Sequence, residues 1–292
     1  MSVEVVKIRE FAGHSQAIYA LCYEQSAKRI FSGAGDGMIV CWQMEETDGR
    51  LVIRHHQAVY TLANDDRYLY SGTRGGLFSV FFLEDFSLKK HLQISDTPIF
   101  EILPIDEGAL LVAGDGCLYQ VDKEFNLKRK IQLSEKSLRT IIKTPNGYAI
   151  GASDGKVYFI NNDFELVRDL QAFNSSVFAL CYDGSSDLLI CGGRDAVLRW
   201  YKVDECVREV KAHLLHIHRL AMSEDGRWIM SSSMDKTLKL WETKSGELLK
   251  VISAEKYGAH TSSVNKILWI DKNTIISCSD DRTLKCFEIQ EK

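Results

Sequence analysis

The feature that most limits how this chain can fold is a sequence repeat of about forty residues. Seven copies can be recognised, and GHSQAIYAL from Gly13 and RHHQAVYTL from Arg54 open two of them. Each copy also contains a short turn, with turn positions at Asp36, Gly75, Asp115, Asp154, Asp195, Asp235 and Asp281. Successive turns are 39, 40, 39, 41, 40 and 46 residues apart. So regular a period predicts seven copies of one structural unit, stacked so that neighbours cover each other's apolar faces.

The pattern inside each copy is that of short β-strands. Apolar residues alternate with others in runs such as DGMIVCW from Asp36 and DKTLKLW from Asp235, and the connecting turns are rich in Gly, Asp and Ser. Period-two alternation and β-branched residues are typical of strands, and no window has the pattern of an amphipathic helix. We therefore predict an all-β protein with about four strands per unit, folded as a single domain over residues 1–292.

Composition and charge exclude several classes of protein. The 292 residues are 45% hydrophobic and 26% charged, with a formal net charge of −4. These values are typical of a globular chain, and without an excess of Lys and Arg we predict neither nucleic acid nor membrane as the main partner. There is no N-terminal apolar segment of the secretory type. The eight cysteines form no CxxC pair, so we expect reduced, buried thiols and a cytoplasmic location.

The residues that mark the copies resemble the WD-repeat family of β-propellers. The matching residues are Gly13-His14, Asp36 and Trp42 in the first copy, Ala212-His213, Asp235 and Trp241 in the sixth, and Ala259-His260 and Asp281 in the seventh, where Phe287 replaces Trp. The resemblance implies a seven-bladed propeller of four-stranded antiparallel blades. It also implies that the N-terminal strand, VEVVKI from Val3, joins the last blade and closes the ring.

The same resemblance implies a structural role for the marker residues. In this family His, Ser, Asp and Trp share a chain of hydrogen bonds within a blade, and the first copy would use His14, Ser32, Asp36 and Trp42. Such a chain pairs a buried carboxylate, so it is structural rather than catalytic. The second to fifth copies depart from the pattern, because they lack this Trp and the second has Gly75 in place of Asp.

A second functional class stays open at this point. The third and fourth copies read GDGCLYQVD and SDGKVYFIN, which resemble the repeat of quinone-cofactor propeller enzymes. An enzyme or small-molecule binder that uses the channel mouth is therefore the alternative function. The chain contains no GxSxG, HExxH or GxxxxGK[ST] motif, and we predict no catalytic residue, no cofactor and no metal. His216 and His218 would lie on one face of a strand, but no clear carboxylate or Cys partner accompanies them, which favours a solvent-facing or partner-contacting pair over zinc.

The resemblance also indicates where a partner would bind. In WD-repeat proteins partners often dock around the central channel, on the face where the first strands begin. The positions concerned are the third and fifth residues after the family His and the residue before the turn. Transferred to this chain, they predict the partner-binding residues Tyr19, Tyr60, Arg74, Phe100, Arg139, Phe178, Arg194, His216 and His218.

These residue types favour a non-catalytic scaffold or adaptor that binds a protein or peptide, either as a monomer or as a subunit of a larger complex. Aromatic residues and Arg dominate binding hot spots. Three arginines set against Asp280 give the rim a positive balance, which suits an acidic or phosphorylated segment. In the competing interpretation the aromatic residues plug the channel as core, and the arginines are solvated or paired within their blades.

Overall fold

The computed structural model describes residues 3–291, which form twenty-eight β-strands and one short helix. The strands make seven four-stranded antiparallel sheets. The first strands of successive sheets contact one another around a complete ring, so each sheet is one blade and its first strand lines a central channel. The predicted seven-bladed β-propeller is confirmed.

The first four blades each consist of four strands that are consecutive in the chain. Blade 1 contains β2 (Ile18–Glu24), β3 (Arg29–Ala34), β4 (Met38–Gln43) and β5 (Arg50–Arg54). Blade 2 contains β6 (Val59–Asn64), β7 (Tyr68–Thr73), β8 (Leu77–Phe82) and β9 (Leu88–Gln93). Blade 3 contains β10 (Ile99–Ile105), β11 (Gly108–Ala113), β12 (Cys117–Val121) and β13 (Leu127–Gln132). Blade 4 contains β14 (Leu138–Thr144), β15 (Gly147–Ala152), β16 (Lys156–Ile160) and β17 (Leu166–Gln171).

The remaining three blades include the one that joins both ends of the described chain. Blade 5 contains β18 (Val177–Asp183), β19 (Leu188–Gly193), β20 (Val197–Lys202) and β21 (Glu205–Lys211). Blade 6 contains β22 (Ile217–Met222), β23 (Trp228–Ser233), β24 (Leu238–Glu242) and β25 (Leu248–Ile252). Blade 7 contains β26 (Val264–Trp269), β27 (Thr274–Ser279), β28 (Thr283–Glu291) and β1 (Val3–Ala12).

Blade 7 closes the ring as predicted. β1 pairs antiparallel with β28 along its whole length, and Val3 lies opposite Glu291. Val3 and Val5 pack with Phe287 and Ile289 in the apolar cluster between blades 6 and 7. The N-terminal strand therefore gives the last blade its outer strand and covers apolar side chains of the neighbouring blade.

The hydrophobic core is divided among the junctions between blades. Seven apolar clusters are present among residues 3–291, and each lies between two neighbouring blades. Because side chains alternate across a strand, one strand serves two junctions. Ile30 of β3 packs towards blade 7, whereas the adjacent Phe31 packs towards blade 2. Each blade is thus held by both of its neighbours, so the ring depends on being closed.

Three further observations concern the cysteines, the short helix and the search for membrane-spanning helices. All eight cysteines are free thiols and seven are buried, but Cys206 is exposed; burial is the wrong prediction there, because β21 is an outer strand. The helix α1 (Ala254–Tyr257) lies in the connection between blades 6 and 7 and contacts β1. Within the described range, no helix has both the length and the apolar character needed to cross a membrane.

Candidate partner-binding channel

One irregularity in strand pairing is shared by all seven inner strands and shapes the channel mouth. In each blade the pairing register between the first and second strands shifts at a single residue. These residues are the predicted fifth positions, namely Tyr19, Tyr60, Phe100, Arg139, Phe178, His218 and Asn265. A β-bulge redirects the side chain of the extra residue. We call these seven residues the collar.

The collar residues surround one open cavity of about 450 Å³ and are all partly exposed. The rings of Tyr19 and Tyr60 meet edge to face with centroids 5.2 Å apart, and Tyr60 stacks with Phe100 at 6.2 Å. On the other side of the mouth, Phe178 stacks with His218 at 6.3 Å. The aromatic residues contact one another but leave the mouth open, so they form the wall of a cavity rather than a plug.

Arg139 is the cation of the collar. Its guanidinium carbon lies 3.8 Å from the ring centroid of Phe100 and 4.9 Å from that of Phe178. Within residues 3–291 the Arg139 side chain makes no hydrogen bond or ion pair. Burial lowers the pKa of Arg139 to about 10, so the side chain is still protonated at neutral pH. The mouth therefore holds a positive charge between two aromatic faces, and this charge has no carboxylate paired with it.

The residue after each bulge forms a second layer deeper in the channel. In three blades this residue is charged, and Glu101, Arg219 and Lys266 make up what we call the ion cluster. Arg219 pairs with Glu101, with Nη1 2.9 Å from Oε2, and Lys266 Nζ lies 3.7 Å from Glu101 Oε1. The backbone N–H of Ile141 also donates to Glu101 Oε2, at 3.1 Å. The ion cluster thus joins blades 3, 4, 6 and 7 across the channel.

The ion cluster has two cations for one carboxylate. Burial lowers the pKa of Arg219 to about 10, and burial together with the nearby Arg219 lowers the pKa of Lys266 to about 7. Both cations line the mouth cavity and also a cavity of about 380 Å³ on the other side of the ion cluster. With Arg139, the channel lining carries an excess of positive charge, although the whole chain is at −4.

Sequence reasoning missed the ion cluster because strict alternation along a strand sends consecutive side chains to opposite faces. The bulge places both the collar residue and its successor at the channel. A usable signal was present, since Glu101, Arg219 and Lys266 are charged residues inside otherwise apolar strands.

The other predicted site residues lie on the rim outside the collar. In all seven blades the backbone N–H of the residue before the turn donates to the carbonyl of the third-position residue, at 2.8–3.0 Å. Arg74 and Arg194 occupy such pre-turn positions and are exposed; no ion pair to either is present in the described part of the chain. His216, at a third position, contacts the ring of Phe178 with centroids 6.0 Å apart.

The two predicted site histidines lie side by side, with ring centroids 6.5 Å apart. His218 Nε2 is 3.2 Å from Ser263 Oγ. Burial, with a smaller contribution from His216, lowers the pKa of His218 to about 4, so this ring is neutral at physiological pH. No group of three or more His, Cys, Asp or Glu side chains that could hold a metal ion is found among residues 3–291.

An apolar patch on blade 6 continues the rim and was not predicted. Leu214 is 87% exposed, and Leu215 and Met234 are each 45% exposed. Leu215 and Met234 lie on adjoining loops, because Ser233 Oγ donates to the Leu215 carbonyl and the Met234 N–H donates to the His216 carbonyl. The signal in the sequence was the Leu-Leu pair, which stands where the other copies have polar residues such as Ser15-Gln16.

The histidine networks implied by the family resemblance are present and belong to single blades. In blade 1, Trp42 Nε1 donates to Ser32 Oγ at 2.8 Å, and His14 lies between Ser32 Oγ at 2.8 Å and Asp36 Oδ2 at 3.1 Å. Blade 6 repeats this arrangement. These groups are satisfied inside the blade, which is what a structural role requires.

Blades 3 and 4 replace the network with a shorter one. The hydroxyl of Tyr119 donates to Asp115 Oδ2, and that of Tyr158 donates to Asp154 Oδ2 at 2.6 Å. Ser134 Oγ also donates to Asp154 Oδ2, at 2.6 Å. The carboxylates of the two segments that resemble quinone-cofactor repeats are therefore engaged by hydroxyl groups of their own blade or the loop leading into it.

The fold and the repeated networks define a WD-repeat propeller, and sequence comparison agrees. The family model "WD domain, G-beta repeat" (WD40) matches residues 5–43, 164–202, 204–242 and 250–288, which together make up just over half of the chain. The chain belongs to the WD40 repeat family.

Several known proteins are similar in sequence to parts of this chain. Pre-mRNA-processing factor 17 of Saccharomyces cerevisiae is 33% identical over 64 residues, which is 21% of this chain and 14% of that protein. F-box-like/WD repeat-containing protein TBL1X of Mus musculus is 26% identical over 109 residues, 37% of this chain and 20% of that protein. The U3 small nucleolar RNA-associated protein 21 homolog of Schizosaccharomyces pombe is 32% identical over 81 residues, 27% of this chain and 9% of that protein. The matches thus span a fifth or less of the length of these relatives.

A solved structure matches over nearly the whole chain. The WD40 β-propeller domain of Doa1 superposes with a TM-score of 0.87 over 99% of this chain and 98% of that one, at 16% sequence identity. At this level of sequence identity, the structural similarity shows that the two proteins share a fold.

Proposed function

We propose that this protein is a non-catalytic interaction scaffold that binds an acidic segment of a partner protein at the channel mouth. The observation that carries the proposal is Arg139, a cation held between Phe100 and Phe178 at an open cavity without a carboxylate partner. A guanidinium in this setting binds a carboxylate or phosphate through charge-assisted hydrogen bonds.

The surroundings of Arg139 support the same class of ligand. Arg219 and Lys266 line the floor of the cavity and share one carboxylate, so an anionic side chain that enters meets further positive charge. Arg74 and Arg194 add two exposed cations on the rim. An acidic segment bound here would be held at its centre by the cavity and along its length by the rim.

The aromatic wall and the blade 6 patch supply the apolar part of the interface. Tyr19, Tyr60 and Phe178 are partly exposed rings held by their neighbours, which is the form in which aromatic residues contribute most to binding hot spots. Leu214 and Met234 extend this surface on the same face. We therefore infer that the partner segment combines acidic residues with at least one apolar residue that lies over blade 6.

We further propose a cytoplasmic protein whose main partner is neither nucleic acid nor a membrane. The support is the net charge of −4. A nucleic-acid surface needs a broad basic patch.

The proposal is tested by selecting ligands from a displayed peptide library and measuring their affinities for variants. We expect the selected peptides to be enriched in Asp and Glu, and Arg139→Gln to weaken binding at least about tenfold, since a charge-assisted contact is worth about 1.5–3 kcal/mol. Tyr19→Ala combined with Phe178→Ala should weaken binding by a similar or larger factor.

The chain offers a matched control for the aromatic variant. Tyr23 and Tyr182 lie four residues further along the same two strands, β2 and β18, at the opposite end from the collar. Tyr23→Ala combined with Tyr182→Ala should leave affinity unchanged, with circular dichroism showing that both double variants are folded. Equal loss in the two double variants, or peptides without acidic enrichment, would contradict the proposed function.

A further inference from the structure

Blade 7 shows how a histidine of the blade network is completed when the family Trp is missing. His260 Nε2 lies 2.9 Å from Ser277 Oγ, and His260 Nδ1 lies 2.9 Å from Asp281 Oδ2. The backbone N–H of Thr261 also donates to Asp281 Oδ2, at 3.0 Å. One carboxylate thus accepts from the ring of the histidine and from the N–H of the next residue.

Blade 2 has the same histidine, serine and phenylalanine but no carboxylate. His55 Nε2 lies 3.0 Å from Ser71 Oγ, and Phe81 packs against the His55 ring with centroids 6.0 Å apart, at the position that Phe287 holds in blade 7. The turn position is Gly75. His55 is 8% exposed, yet its Nδ1 has no hydrogen-bond partner in the part of the chain that the structure describes.

The second donor of the blade 7 arrangement is also free in blade 2. The backbone N–H of His56 corresponds to that of Thr261, and no described residue accepts a hydrogen bond from it. A third donor, the Leu77 N–H, is already satisfied by Thr73 Oγ1 at 3.1 Å. Blade 2 therefore has no counterpart of the carboxylate oxygen on which the His260 ring and the Thr261 N–H meet in blade 7.

The turn that lacks a carboxylate borders a cavity whose permanently charged lining residue is Arg54. A space of about 320 Å³ is lined by His55, His56, Arg54, His91 and Gln57, among others, and no lining residue is acidic. The exposed Arg74 lies beside it on the rim, next to Gly75. Both the charge and the hydrogen-bonding groups around this cavity would favour the binding of a carboxylate.

We propose that the blade 2 cavity binds a carboxylate, supplied as an Asp or Glu side chain of the partner, which completes the His55 network from outside as Asp281 completes that of His260 from within. This proposal rests on the proposed function only for the source of the carboxylate. The site itself is defined by blade 2 and its comparison with blade 7.

The test places a carboxylate of the chain itself in the site, by the substitution Gly75→Asp. Gly75 is not in the left-handed region, and the three atoms nearest to a Cβ added there all belong to the amide end of the flexible Gln57 side chain, so Gly75→Asp can be accommodated. The His55 ring is followed by NMR while sodium acetate replaces sodium chloride at constant ionic strength. We expect a saturable shift of the His55 signals in the wild type and none in Gly75→Asp, with His260 unaffected in both.

A second arm identifies the source of the carboxylate. Blocked tripeptides with a central Asp or a central Asn are titrated into the wild type and into Gly75→Asp. We expect the Asp peptide to bind the wild type at least about tenfold more tightly than the Asn peptide, and this preference to disappear in Gly75→Asp. The His55 shift needs no partner, so it holds or fails separately from the collar experiment.

Absence of a saturable acetate shift, or an unchanged acetate response in Gly75→Asp, would overturn the carboxylate site. Equal affinity for the two peptides would overturn the assignment to a partner's side chain. If Gly75→Asp lowered the melting temperature, Gly75→Ala would report the effect of the added Cβ alone; a carboxylate that completes the network makes the Asp variant the more stable of the two.

Discussion

Blades 7 and 2 place a histidine, a serine and a phenylalanine at matching positions, and they differ in what stands at the turn. In blade 7, burial tends to raise the pKa of Asp281, but hydrogen bonds from His260 and its neighbours hold that pKa well below the usual range. In blade 2, burial and the neighbouring His91 and His56 lower the pKa of His55 to about 4, because no carboxylate stabilises its protonated form.

The comparison teaches that one side chain decides whether a repeated network is closed or open to a ligand. A buried donor must find an acceptor or forfeit free energy. In blade 7 the chain provides that acceptor and the network only stabilises the blade. In blade 2 the same scaffold leaves the His55 ring and the His56 N–H facing a cavity, and open hydrogen-bonding groups are what a recognition site needs.

The largest expected effect comes from breaking the ring in which both blades are held. Deletion of residues 1–9 removes most of β1 and exposes the apolar surface that Val3 and Val5 cover against Phe287 and Ile289. We expect aggregation or loss of a cooperative thermal transition, measured by size-exclusion chromatography and circular dichroism. Val6→Ser combined with Ile8→Ser, at the exposed positions of the same strand, should melt close to the wild type. A monomeric deletion variant with the wild-type melting temperature would refute closure by β1.

A smaller effect is expected from converting blade 7 to the state of blade 2. Asp281→Ala leaves the His260 ring and the Thr261 N–H without their acceptor, and we expect the free energy of unfolding to fall by about 2–4 kcal/mol. The control is Asp195→Ala at the corresponding turn of blade 5, where the carboxylate is 31% exposed, accepts from the Val197 N–H and pairs with Arg199; that change should cost about 1 kcal/mol. Equal losses in urea unfolding would show that the blade 7 network adds nothing beyond an exposed ion pair.

The smallest expected effect is a pH dependence of the free energy of unfolding, which arises from His55 in blade 2. The pKa of His55 is about 4 in the folded protein and about 6.5 in an unfolded chain, so the unfolded state binds more protons between these values. The free energy of unfolding should therefore fall as the pH falls from 6.5 to 5, by about 1.6 kcal/mol from this residue. Urea unfolding at both pH values should give a shallower dependence for His55→Gln than for the wild type. Identical slopes in the two proteins would mean that folding does not lower the pKa of His55.

Much of the site could be derived from the sequence because the repeat fixes positions. The seven collar residues were found by counting from the family His, and all seven line the mouth cavity. Whether they bind a partner stays a prediction. The blade 6 patch at Leu214 and Leu215 was legible in the sequence but overlooked, since it interrupts a pattern of polar residues.

The ion cluster shows why the rest was out of reach. Glu101, Arg219 and Lys266 are 118 and 47 residues apart in successive steps along the chain, and they meet because a bulge in each strand brings a second side chain to the channel. A bulge is a tertiary and pairing feature, and period-two reasoning puts the same residues on the opposite face.

The sequence by itself determined the number of blades and the strands within them, because a forty-residue period and local alternation are properties of neighbouring residues along the chain. The closure by β1 and the residues at the mouth followed from the resemblance of the repeat markers to the WD-repeat family. Only the tertiary structure decided that Glu101 pairs with Arg219 across the channel, that Arg139 has no counter-charge and that His55 lacks an acceptor. Those are statements about which groups meet after the ring has closed, and in a closed ring each group's partner comes from residues far away in the sequence.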